Sequence, residues 1–297
     1  MRLHKLSLAD RSLFRRFLSA CRHELCVFSF ENIYIWQPLF DIRWQIIQGR
    51  LCVFFKDKIG IFLYLPPLGE PISLELSKSV FALMDKFNTN REVSRIENIE
   101  ENQKQSYQES GLLVRDKYAD YLCSRNELAG LTGNKFKSQR ASYNYFIKHY
   151  NFSCAKFSSK HIPECRKLFK LWAGQRSNHS QDPVYLGLLQ DSALVLEKIF
   201  SDYKKLDYQG LVVKCDERIT GFTFGYKLNA DTFCIVYEIT DLSFKGLAQF
   251  IFRAFCRQLP DFKFINIMDD SGLENLKKTK LAYHPVKMVK GYIATRQ

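Results

Sequence analysis

The sequence predicts an α+β protein built as two tandem halves of like design, each a mixed, mostly antiparallel sheet flanked by helices. Its 297 residues exceed what one core usually organises. A hydrophobic content of 46%, with 25 Phe and 15 Tyr, suits packed sheets and excludes a disordered chain. The order of apolar periodicities also runs through the chain twice, which sets expected domains at 1–125 and 126–297.

In the first half, residues 6–21 place Leu6, Leu13, Phe14, Phe17 and Leu18 on one helical face. Strands are expected at 26–34, 41–47 and 51–55, the last joined through Lys56-Asp57-Lys58 to a fourth at 59–65. Pro66-Pro67-Leu68-Gly69 breaks the chain, and helical spacing returns over 72–87. A short strand at 94–96, a polar helix over 100–109 and a strand over 112–123 complete this half.

The second half opens on Gly133–Arg140, with Asn134 as a possible cap for a helix that puts Phe136, Tyr143, Ile147 and Tyr150 on one face. That aromatic stripe reads as core before it reads as a base-stacking platform. A strand at 152–158 leads to helices over 162–175 and 185–203, joined by the polar loop 176–183. Strands at 210–215, 219–228 and 232–239 follow at hairpin spacing. A helix over 246–259, a strand at 264–268, a helix over 273–280 and a strand at 286–293 end the pattern. Helix, meandering strands, helix, strand, helix, strand matches the acyltransferase fold of the GCN5-related N-acetyltransferases (GNAT), used twice; two unrelated α+β domains is the alternative.

Thirteen excess positive charges are concentrated rather than spread. No acid lies between Glu127 and Glu164, where Lys135, Lys137, Arg140, Lys148, Lys156 and Lys160 occur; none follows Glu274, where Lys277, Lys278, Lys280, Lys287, Lys290 and Arg296 occur. Such a field attracts a polyanion or an acidic headgroup, unless these are two solvated faces that simply lack acids. Nine cysteines at irregular positions, with no C-x-x-C, read as buried thiols of a reducing compartment and give no metal site. No signal peptide or apolar run long enough to span a bilayer is present, so the expected location is cytoplasmic, with a peripheral approach to the inner membrane surface open through the basic tail.

Three places could carry chemistry. The segment Ser243-Phe244-Lys245-Gly246-Leu247-Ala248 stands where the GNAT fold holds the pyrophosphate of coenzyme A at a helix start, retaining Gly246 and Ala248 with Ser243 in the first position. Ser243, Gly246 and Ala248 are therefore the candidate sites for acetyl-CoA or another acyl-CoA. In 232–239, strict alternation puts Phe233, Ile235, Tyr237 and Ile239 on one face and Cys234, Val236 and Glu238 on the other. Glu238, with Asp241 close behind, could deprotonate an attacking amine or hydroxyl, or could end its strand in solvent or pair with a nearby lysine. Of six histidines only His284 lies in a suggestive run, and it reads as structural; no Ser/His/Asp order or HExxH spacing supports a hydrolase triad or metal site.

Leu8-Ala9-Asp10, Tyr34-Ile35-Trp36, Leu65-Pro66-Pro67-Leu68-Gly69, the run from Gly133 to Phe146, Glu238 to Asp241, and Gly272-Leu273 leading to Lys280-Leu281-Ala282-Tyr283-His284-Pro285 occur in this order. With these landmarks the whole chain resembles the family named for the C-terminal domain of phosphatidylglycerol lysyltransferases. The resemblance implies a tandem GNAT-like fold and transfer of an aminoacyl group from aminoacyl-tRNA to an acidic lipid or a peptide acceptor. The donor ester is already activated, so the protein would hold reactants together, remove a proton and stabilise an oxyanion. Lys135, Lys137 and Arg140 would meet donor phosphates, Glu238, Asp241 and Tyr283 would serve the chemistry, and Asn266, Asp269, Asp270 and Lys280, with Tyr283, would line the second-domain pocket. The chain departs from the family pattern at Gln139 and Ala141, at Ile239, and at Asn266-Ile267-Met268-Asp269-Asp270, where an Arg and a Glu are lost. CoA-dependent N-acetylation, and a non-catalytic module that binds RNA or acidic lipid, are the alternative readings.

Overall fold

A computed structural model describes residues 3–69, 72–178 and 182–296. The chain divides into two compact units, one of Met1–Asp120 with Asp269–Gly272 and Met288–Gln297, the other of Tyr121–Met268 with Leu273–Lys287. Each unit is organised around a seven-stranded mixed sheet.

The first unit runs β1 (His4–Lys5), α1 (Arg11–Leu18), α2 (Phe30–Ile35), β2 (Asp41–Ile47), β3 (Arg50–Lys56), β4 (Ile61–Leu63), α3 (Leu74–Asp85), β5 (Ile96–Glu100), α4 (Lys104–Glu109) and β6 (Leu113–Asp116). The strand expected at 26–34 is instead the helix α2. Ser29 caps it by accepting from Asn32 N at 2.9 Å, and all six helical residues are buried, so no polar face marks its period in the sequence. The core places Leu76, Val80, Phe81 and Met84 of α3 against Phe54, Leu63 and Ile96 of the sheet.

From β7 (Asp120–Ser124) the chain builds the second sheet. In order come α5 (Arg125–Gly130), α6 (Lys137–His149), β8 (Phe152–Lys156), α7 (Ile162–Ser177), α8 (Pro183–Asp202), β9 (Tyr208–Cys215), β10 (Arg218–Lys227), β11 (Thr232–Thr240), α9 (Leu247–Arg257), β12 (Phe264–Asn266), α10 (Glu274–Leu281), β13 (Lys287–Val289) and β14 (Gly291–Thr295). Of the polar loop 176–183, residues 179–181 lie outside the described residues. The spatial order is β13-β7-β12-β11-β10-β9-β8. The α5, α6 and α9 helices pack one face through Leu128, Phe136, Phe146, Phe250, Ile251 and Phe255.

Two expected strands are each split between the sheets. The stretch 112–123 divides into β6, in the first sheet, and β7, antiparallel to β12 in the second. The stretch 286–293 divides into β13, in the second sheet, and β14, which lies between β5 and β6 in the first. The two sheets thereby exchange their last strands, a pairing that no local pattern encodes. The cysteines are free thiols, as expected, but Cys21 and Cys154 are exposed while the rest are buried. Among the described residues no helix is long and apolar enough to cross a membrane, and no group of His, Cys, Asp and Glu could hold a metal ion.

Candidate active site

Both units contain one parallel strand pair, and the pair in the second unit parts to leave a carboxylate unmatched. The β11 strand pairs with β12 only from Thr232–Cys234 to Phe264–Asn266, then runs on to Thr240 paired with β10 but free of β12. Along this free stretch the expected alternation fails. The register with β10 passes from Tyr237 opposite Phe224 to Ile235 opposite Gly225, so Val236 is an extra, bulged residue. Gly225 permits this, because a Cβ there would collide with the Cys234 carbonyl oxygen. Beyond the bulge the faces exchange. Tyr237 turns to α8, where its hydroxyl donates to Ser192 O at 2.8 Å. Glu238 turns instead toward Cys256 of α9 and the Tyr283 phenol, both of which feel its charge.

Glu238 keeps part of its surface, but its Oε2 is shut off from solvent and has no hydrogen-bond partner among the described residues. Burial raises its carboxyl to about 8. Tyr283 packs its ring on Phe252 at 4.3 Å between centroids. Burial, and then the nearby Glu238 charge, hold its phenol well above the ordinary range, so it keeps its proton. The Cys123 thiol is pushed up to about 12 by burial, against the pull of Lys280. The site therefore pairs a carboxylate of raised basicity with a phenol that keeps its proton near neutrality and can donate a hydrogen bond.

Around this pair the two acid-free basic stretches meet. The His284 Nε2–H donates to Lys135 O at 2.9 Å, its ring stands edge-on to Phe136 at 5.2 Å, and Gln139 Nε2 donates to Ala282 O at 2.6 Å. Gln139 Oε1 is buried with no partner among the described residues, a second unmatched acceptor one residue from Tyr283 in its contacts. The Lys280 ammonium turns inward to the Ile267 carbonyl and lies 5.9 Å from the Tyr121 ring. Lys137 is exposed. Lys135 reaches Glu127 at 2.7 Å, and Arg140 donates to the carbonyls of Leu131 and Gly133, which close α5. Arg253 of α9 completes that clamp on Ala129 O and Gly130 O, each at 3.0 Å. Lys290 and Arg296 belong to the first unit, where Arg296 pairs with Asp85 at 2.7 Å.

Other residues singled out from the sequence are engaged locally. Asp241 is buried and accepts from Ser243 N at 3.0 Å and Ser243 Oγ at 2.7 Å, with Arg218 at 3.5 Å. It shapes the turn into α9. Asn266, fully buried, accepts from Met268 N at 2.7 Å. Asp269 and Asp270 cluster with the first unit and cap the turns to Ser271 and Gly272.

The segment Ser243–Ala248, the candidate coenzyme A site, is partly committed within the fold. Gly246 sits at φ +84°, and the space a side chain would take is filled by the Ser142 carbonyl of α6. The amides of Ser243 and Leu247 are spent on Asp241 Oδ1 and Phe244 O.

The first unit's own parallel pair, β4 beside β5 at Leu63 and Ile96, is closed by its side chains. Asn98 Nδ2 donates to Tyr64 O at 2.7 Å and its Oδ1 accepts from Lys117 Nζ at 2.8 Å, while Glu97 takes Lys117 and Arg95, both at 2.7 Å. The open concavity lined by Leu39, Asp41 and Lys56–Ile59, also in this unit, holds no comparable group: Asp41 faces Arg43 and Asp57 caps its own turn.

Sequence reasoning reached Glu238, Tyr283 and the basic stretches. It missed Gly225, Cys256 and Phe252, which are apolar or small in an apolar setting and carry no signal. Gln139 was visible only as a departure from a pattern.

A conserved protein of unknown function from Bacteroides thetaiotaomicron VPI-5482 superposes over the whole of both chains with TM-score 0.89 at 24% identity. L-PGS from Bacillus licheniformis superposes with TM-score 0.65 at 16% identity, over 97% of this chain and 92% of its own. A tandem GNAT protein from the clavulanic acid biosynthesis pathway gives TM-score 0.53 at 9% identity, over 98% and 97%. The fold is thus the tandem GNAT fold, as the order of elements predicted. No curated protein sequence matches. The family model described as phosphatidylglycerol lysyltransferase, C-terminal, matches residues 21–295, and family and fold together are those of an acyltransferase. This chain belongs to the phosphatidylglycerol lysyltransferase C-terminal family.

Proposed function

We propose that the second unit transfers an aminoacyl group from aminoacyl-tRNA to the amine or hydroxyl of an acidic lipid or peptide acceptor, with Glu238 taking the acceptor's proton. The observation that carries this reading is the buried, unpartnered Oε2 of Glu238 beside the protonated Tyr283 phenol. A buried acceptor without a donor costs stability unless something bound supplies an N–H or O–H. The acceptor's nucleophile is that donor.

As it attacks the ester carbonyl, its proton passes to Glu238, whose raised basicity suits the transfer near neutral pH. Tyr283 donates to the carbonyl oxygen as charge builds there. The ester C–O bond then breaks, the ribose hydroxyl leaves with the proton held by Glu238, and the new amide or ester remains on the acceptor. Lys137 and the neighbouring basic residues draw the donor's phosphates to this face. Coenzyme A has no part in this reading.

The test uses donor tRNA charged with a labelled amino acid and a lipid or peptide acceptor panel. Glu238→Gln is expected to lower turnover by about 10²- to 10⁴-fold while leaving tRNA binding intact. Equal turnover in the variant removes Glu238 from the mechanism.

A further inference from the structure

We infer that the outer face of α6 is a track for an unpaired RNA strand, with one base stacked on His149. The inference rests on the aminoacyl-tRNA reading for its biological ligand, and adds to it His149 as a base-stacking residue to which that reading gives no role.

The exposed residues of α6 are Lys137, Ser138, Ala141, Asn144, Ile147, Lys148 and His149. Lys137, Ala141, Asn144 and Lys148 follow helical spacing, so they form one stripe with a cation at each end and small or polar groups between. At 1.5 Å per residue the two lysines stand about 17 Å apart along the axis, a span that several nucleotides of a single strand cover. No carboxylate occurs from residue 128 to 163, and neither lysine has an ion-pair partner among the described residues. Both charges therefore remain available to phosphate.

At the far end lies a preassembled stack. The His149 ring lies flat on Tyr145, 4.0 Å between centroids at 15°, and its Nδ1–H donates to Tyr145 O at 2.8 Å, which fixes the ring plane. The Lys245 ammonium is 4.7 Å from the centroid of the same tyrosine. Tyr145 is thus committed to these two neighbours, and the exposed imidazole ends the stack with a ring held ready for a base. Aromatic platforms beside spaced cations bind single strands with little dependence on sequence. An acidic membrane surface is the less suited partner, since among the described residues Ile147 is the only exposed aliphatic side chain larger than alanine on α6, and interfacial helices need a continuous apolar face.

The probe is a labelled RNA hairpin with a four-nucleotide 3′ overhang, compared with its blunt counterpart by anisotropy titration at several salt concentrations. The overhang hairpin is expected to bind more tightly. His149→Ala should weaken it about tenfold and leave the blunt hairpin unchanged, while His149→Phe should retain binding. Lys137→Ala and Lys148→Ala should each lower the salt slope by about 0.7, with thermal midpoints unchanged in all variants.

The inference is overturned if overhang and blunt hairpins bind alike, if His149→Ala is silent, or if vesicles of phosphatidylglycerol bind through Lys137, Lys148 and His149 while RNA does not. The two readings fail separately. Retained overhang binding with no aminoacyl transfer by the native protein supports the track and defeats the proposed reaction; transfer that proceeds normally in His149→Ala defeats the track alone.

Discussion

Glu238 and Gly246 show two different constraints on single residues. Ionising Glu238 inside the fold is unfavourable, so the native state holds its proton up to about 8, whereas an ordinary glutamate releases it near 4.5. Stability from this group is whole below the lower value, falls as pH rises between the two, and is flat above the higher one. The unfolding free energy of the native protein, from denaturant titrations, should fall from about pH 5 to about pH 8 relative to that of Glu238→Gln, by on the order of a few kcal/mol. If the proposed reaction holds, turnover should run the opposite way, rising with pH through about 8 as the base becomes available. At Gly246 the left-handed backbone and the Ser142 carbonyl both exclude a side chain. Gly246→Ala should cost about 2–4 kcal/mol in urea unfolding, from the strained φ and the displaced helix together.

Packing between elements explains why the carboxylate points where it does. Gly225 lets the Val236 bulge form, the bulge exchanges the faces of β11, and the exchange brings Glu238 under α9 instead of α8. Gly225→Ala should displace the bulge, lower acyl transfer as far as Glu238→Gln does and, because its Cβ meets the Cys234 carbonyl, also lower the melting point, both read on the same samples. On the other side, α6 is held to α9 by Phe146, which is fully buried and meets Phe250 at 4.8 Å. Phe146→Ala should cost about 3–5 kcal/mol in denaturant unfolding and loosen the turn that presents Lys135 and Lys137. Most elements could be read from periodicity, β2 and the three-strand meander β9–β11 among them. The α2 helix could not, because burial on every side erases its amphipathic signature. The bulge was equally hidden: a run such as Phe233 to Tyr237 is apolar on both faces, so a one-residue slip leaves the pattern unchanged.

At the scale of the whole molecule, the repeated order of elements gave the architecture, but the exchange of last strands was not legible. A strand's composition records that it is buried, not which sheet buries it, and β7 and β14 look alike in that respect. Their swap makes the first sheet depend on residues far along the chain. Replacing Tyr292 in β14, which is buried and bonds to Glu101, with Asp should raise amide exchange in β5 and β6, its partners on either side, ahead of exchange in β9–β11. Uniform protection across both sheets would contradict this. The concentration of charge was legible in outline. What it did not reveal is how many cations are already committed, as Arg140 is to the close of α5 and Lys280 to a carbonyl, because such clamps depend on loops whose path only the fold defines.

The placement of β14 between β5 and β6 also bears on biosynthesis. Multidomain chains ordinarily mature from the amino end as each lobe emerges from the ribosome, but here the leading lobe waits, with a gap in its sheet, until the whole of the second has been translated. During that interval the unsatisfied edges of β5 and β6 are open to foreign strands, so a pause in elongation over the second half should make this nascent polypeptide a client for chaperones that shield exposed edges.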